Sequence, residues 1–140
     1  MNIYISVKCK NGQEENSLRK ILFLLLFTTS LLAACNSSTL SISEIDVIPD
    51  DVQDKIDYHH TLQLINDGED IAYIFYQSKG TVVTDLEVQG DTLKVKLDET
   101  NRQEGLIEQH VYKLTLDPEH EVIDILINGK STPIDNVTSL

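Results

Sequence analysis

Cysteine is nearly absent: Cys9 and Cys35 are the only two in 140 residues. Long apolar runs are lacking too. The one that stands out, residues 21–32, covers 12 residues. At about 1.5 Å per residue it reaches roughly 18 Å, well short of the ~30 Å hydrocarbon core of a bilayer, so it does not span one comfortably. Basic residues are few beyond Ala34, where 7 Lys and Arg stand against 21 Asp and Glu, a net charge of −14. Such a surface excludes nucleic acid, whose phosphates need neutralising cations, and it repels an anionic membrane. Catalytic signatures are missing as well. There is no G-x-S-x-G, no H-E-x-x-H and no glycine-rich phosphate loop, so no residue is assigned a catalytic role and no cofactor is implied.

What is present begins with the apolar run and its flanks. Arg19 and Lys20 precede it, and Leu32-Ala33-Ala34-Cys35 closes it before the polar Asn36-Ser37-Ser38. A positive start, a short apolar stretch and small residues before a break are the parts of an export signal. The four residues resemble the lipobox of a small Gram-positive bacterial lipoprotein. That resemblance implies cleavage between Ala34 and Cys35, a diacylglyceryl group on the Cys35 sulfur and a place on the outer face of the cell membrane. Two acyl chains anchor stably where one binds only marginally. Cys35 is then a tether and not a nucleophile, and with Cys9 removed the exported part has no disulfide to form. Residues 1–17 are unusually polar for a leader, and a start at Leu18 would leave one of ordinary form.

The expected organisation is a signal peptide over residues 1–34, a lipidated cysteine with a flexible Ser/Thr-rich tether over 35–48, and one acidic domain over 49–140. Residues 49–56 read as a short helix, with Pro49 and two aspartates in the first turn and the apolar pair Val52 and Ile56 one turn apart. After Asp57 the apolar period becomes two. Leu62 and Leu64, Leu86 and Val88, and Leu93, Val95 and Leu97 alternate with polar residues, as half-buried strands do. Residues 71–76 are apolar on both faces and read as a central strand. Residues 111–116 and 122–127 complete six strands, 133–138 give a last extended piece, and Asn66-Asp67-Gly68, Ser78-Lys79-Gly80, Gln89-Gly90-Asp91 and Asp117-Pro118-Glu119-His120 fall between the runs as turns. The fold class is mainly β: a small antiparallel sandwich or partly open barrel of six to seven strands with one short N-terminal helix. This body is similar to small envelope β domains of the PrcB-like kind, which act by association; the likeness lies in residues 71–76, the hairpin through Gln89-Gly90-Asp91-Thr92-Leu93, and Val111-Tyr112.

His59 and His60 are adjacent, and on a strand they would point to opposite faces and fail to share an ion. His110 shares a strand face with Tyr112 and Leu114 and reads as a core-edge residue; His120, between two glutamates in a turn, reads as exposed. Setting Gly68 at the sixth place of an EF-hand loop puts Gln63 first, Ile65 third and Ile74 twelfth, none a carboxylate. No metal site is assigned, and only a weak, irregular cation site at Asp67, Glu69 and Asp70 would remain. The sequence supports a membrane-anchored lipoprotein with a noncatalytic binding domain, for an envelope protein or a cationic ligand. The alternatives are an envelope folding helper of the peptidyl-prolyl isomerase type and a weak cation or small-ligand binder.

Overall fold

The computed structural model describes residues 39–140, so the expected signal peptide, Ala34 and Cys35 lie outside the described residues. The described residues are mainly β, with nine strands in two sheets and one short helix. β2 (Leu62–Asp67) and β3 (Ile71–Ser78) form a hairpin that pairs Leu62 with Tyr76 and Asp67 with Ile71. Gly68 opens its turn at φ +72°, a left-handed conformation that glycine adopts without steric cost. On its other side β3 pairs with β6 (Glu108–Thr115), setting Phe75 opposite Val111 and Ile74 opposite Tyr112. β1 (Ser41–Glu44) edges β6, and β9 (Asn136–Ser139) lies parallel to β2, completing a sheet in the order β1-β6-β3-β2-β9.

The second sheet is built on the hairpin of β4 (Thr81–Gln89) and β5 (Thr92–Thr100), joined through Gly90 and Asp91. β7 (Val122–Ile127) runs parallel to β5, and β8 (Lys130–Ser131) pairs antiparallel with β7. Both sheets are therefore mixed, and the count is nine strands where the sequence suggested six or seven in antiparallel order. Alternation tells which face of a strand is buried but carries no direction. The parallel pairs arise because the chain leaves β5 for β6 in the other sheet and returns as β7, and later passes from β8 to β9. The extra strands, β1 and β8, have four and two residues, while β9 falls in the last extended piece expected over 133–138. Runs that short hold no visible period. β1 also corrects the expected tether, since residues 41–44 are hydrogen-bonded to β6.

β3 is the strand buried on both sides, as its doubly apolar sequence predicts. Ala72, Ile74 and Tyr76 join Leu62, Leu64, Tyr112 and Leu114 and meet Leu93, Val95, Leu97 and Ile125 of the second sheet. Tyr73 and Phe75 face the other way, with Ile65 and Val111, and are covered by Val52 and Ile56. Those two come from α1 (Asp50–Gln53) and the turns after it, a shorter helix than the 49–56 reading but with the same buried pair. Burying a side chain of this size contributes about 1.5 to 3 kcal/mol, enough to hold a four-residue helix that could not stand alone. Gln63 fixes the cover in place. It is fully buried, its Nε2 donates to the Asp57 carbonyl at 2.6 Å, and its Oε1 accepts from the Asp57 amide at 3.1 Å.

Gly80 makes the step from β3 to β4 possible. A Cβ there would lie 2.2 Å from the Thr100 carbonyl oxygen, a contact that no side chain tolerates.

Candidate functional site

The outer face of the first sheet is not wholly covered. Beyond Glu44 the chain follows β6 one residue further, the Ile45 amide donating to the Val111 carbonyl at 2.9 Å. It then turns away into α1, leaving a groove of about 270 Å³ between Ile45, Ile48, Ile56, Phe75 and Val111. Tyr58 closes one side, its ring edge-on to Phe75 with centroids 5.6 Å apart. Phe75 is only 1% exposed and forms the floor, whereas Tyr58 is 49% exposed and offers its ring to solvent. Glu44, Asp46 and Gln109 supply a polar rim. The volume is below that of pockets that enclose a drug-sized molecule, and it admits one or two apolar side chains.

The surroundings of the groove are strongly negative. Residues 44–57 carry Glu44, Asp46, Asp50, Asp51, Asp54 and Asp57 against the single Lys55. Asp57 is held below the ordinary carboxylate range by the backbone amide of His59 and then by the His59 ring. Tyr73 is pushed up by burial and by the charges of Asp67 and Asp51.

The histidines depart from the sequence reading in two places. His59 and His60 precede β2 in a turn, so strand geometry does not separate them; both rings reach Asp57, at 2.8 Å and 3.5 Å, and the His59 side chain is 95% exposed. His120 is not exposed. Its side chain is 5% accessible and its Nδ1 meets the Asp117 carboxylate, because the Asp-Pro turn folds the ring back over its own first residue. His110 is the core-edge residue expected, stacked on Tyr112 at 5.9 Å. Asp67, Glu69 and Asp70 sit at the β2–β3 hairpin turn, and among the described residues no three His, Cys, Asp or Glu side chains converge in a metal-holding arrangement.

Distant residues meet around His110. Its Nδ1 is 2.6 Å from Glu44 Oε1 and its Nε2 is 2.9 Å from Ser78 Oγ, an acid–histidine–serine chain. Hydrogen polarity decides what it can do. The Ser78 hydroxyl donates to the Gly80 carbonyl at 2.6 Å, so its single proton points away from His110 Nε2. A serine nucleophile needs the reverse, a histidine lone pair ready to take the hydroxyl proton. Ser78 is also fully buried. The trio therefore clamps β1, β6 and β3 together and is not built for nucleophilic attack.

A second polar knot lies between the sheets, where the Tyr76 hydroxyl donates to Glu99, whose other oxygen takes the Arg102 Nε at 2.9 Å. The Glu99 side chain is only 4% exposed. Burial, and then the bond to Glu99, pushes the Tyr76 hydroxyl far above its ordinary range. Burial does the same for Tyr112, whose hydroxyl has no hydrogen-bond partner among the described residues. Sequence reasoning missed both groups. Glu44, Ser78 and His110 are separated by 34 and 32 residues, too far for any motif, but continuing the Leu93, Val95, Leu97 alternation by one step marks Glu99 as inward.

Among the described residues no helix is long and apolar enough to cross a membrane. Compared with protein-family models, curated proteins and solved structures, the chain matches none.

Proposed function

We propose that this protein is an extracytoplasmic lipoprotein, held on the outer face of the cell membrane by lipid on Cys35, whose β domain acts by binding and not by catalysis. The anchor rests on Leu32-Ala33-Ala34-Cys35 and the short apolar run before it. The observation that carries the binding reading is the half-open groove on the outer face of the first sheet, apolar at its floor and acidic at its rim. The Ser78 hydroxyl supports it from the other side, since in the acid–histidine–serine chain it is buried and donates to the Gly80 carbonyl instead of to His110. A folding helper would need a cleft in which aromatic rings enclose a proline. Here Phe75 is covered and Tyr58 alone offers an exposed ring in the groove, which favours binding over isomerisation. Partners of this class are an envelope protein or a cationic ligand, not nucleic acid.

Two assays test the proposal. Palmitate labelling should mark the wild-type chain and be lost in Cys35→Ser, which should stay unprocessed; a processed, membrane-bound Cys35→Ser protein would refute the anchor. Turnover of a proline-containing peptide should not exceed the uncatalysed rate. Acceleration that disappears in Tyr58→Ala while the fold persists would replace binding with the folding-helper alternative.

A further inference from the structure

We propose that the groove takes an extended basic segment of a partner protein, one that sets an apolar side chain between Ile48, Tyr58 and Val111 and places lysine or arginine against Glu44 and Asp46. This rests on the binding reading and adds the chemistry of the occupant. The floor is apolar, so burying a leucine or valine there removes hydrophobic surface on both partners. At about 270 Å³ the groove holds one or two such side chains, so the rest of the segment must lie along the rim. That rim is where the charge is. Six carboxylates and one lysine between residues 44 and 57 give a local field that attracts cations and repels an acidic peptide. The same field disfavours a second copy of this chain, whose 21 acidic residues in 35–140 outnumber its 7 basic ones.

The sheet face on the other side of the molecule provides the contrast. Lys94 and Lys96 are paired there with Glu87 and Asp85, so that face presents lysines as well as carboxylates. Asp98 lies on that face, exposed, and serves as a remote control for charge effects.

The test uses the full lipidated protein in zwitterionic phosphatidylcholine nanodiscs. The chain contains no tryptophan, so a peptide of alternating leucine and lysine with one terminal tryptophan reports its own binding by fluorescence. The same peptide with glutamate for lysine, and one with serine for leucine, are the controls. The leucine–lysine peptide should bind more tightly than either control by about tenfold, and raising salt from about 0.05 to about 0.5 M should weaken it. Asp46→Lys and Tyr58→Ala should each weaken it by about fivefold or more, and Asp98→Lys by less than about twofold. Asp46 is exposed, so its variant keeps the fold, which circular dichroism confirms. Equal binding of the glutamate peptide, still lost in Tyr58→Ala, would overturn the basic occupant and leave binding at the groove standing. Equal weakening by Asp98→Lys and Asp46→Lys would mean diffuse attraction and overturn the proposal. Binding unaffected by either groove variant would remove the groove itself, and the binding reading with it.

Discussion

Replacing Phe75 by alanine should remove much of the stability of the domain. The ring is 1% exposed and belongs to the smaller core, with Val52, Ile56, Ile65, Tyr73 and Val111 around it. Truncating a buried phenylalanine costs about 3 to 5 kcal/mol, the lost transfer energy plus a cavity. Here the edge-on contact with Tyr58 accounts for about 0.5 to 1.5 kcal/mol of that. The cover over this core is a four-residue helix that can settle inward, which sets the expectation near the lower end, about 3 kcal/mol. A domain of this size has about 5 to 10 kcal/mol in all, so a third or more is lost. Urea unfolding followed by far-UV circular dichroism is the assay. With a slope of about 1.5 kcal/mol per M, the midpoint should fall by about 2 M. Val83→Ala, at a position 57% exposed, should move it by less than about 0.3 M. A shift in Phe75→Ala as small as that control would refute the two-sided burial of β3.

Gly80→Ala should destabilise the domain by about 2 kcal/mol or more, measured the same way, because its Cβ would strike the Thr100 carbonyl oxygen. Raising the pH should unfold the protein: an unfolded tyrosine ionises near its ordinary value of 10.0, while Tyr73, Tyr76 and Tyr112 are held above it. Their contribution is complete below about pH 10 and is lost as the pH rises beyond it, since the unfolded chain then binds fewer protons than the folded one. Tyrosinate absorbance should therefore show these three groups ionising together with loss of β circular dichroism; smooth titration of all the tyrosines in a folded protein would contradict their burial.

How much of this was legible follows from the reach of each signal. Period-two alternation marked β2, β4 and β5, and the doubly apolar Ile71 to Tyr76 run marked a strand buried on both faces, because side-chain direction is a local property. Turn residues placed both hairpins for the same reason. Strand direction was not legible, since β7 comes to lie beside β5 only after the excursion through β6. Nor was β1, whose four residues bury only part of Ile42. The groove was hidden because its walls come from β1, the α1 segment and the face of β3 and β6. What could be foreseen was its cover, the Val52 and Ile56 pair, and the acidity around it. His120 misled because a turn flanked by glutamates suggests solvent, while the Asp117 carboxylate three positions earlier in the same turn captures the ring.

The most direct test of the central claim, that the domain works by binding through the groove, is a map of backbone amide shifts as the leucine–lysine peptide is added to isotope-labelled protein. The full 140-residue chain is 15.8 kDa and the processed protein is smaller, so the soluble domain suits the method. The account predicts that the largest changes gather at Ile45, Asp46, Tyr58, Gln109 and Val111 and leave Lys94 to Asp98 where they were. Changes centred on the second sheet, or spread evenly over the acidic surface, would contradict it.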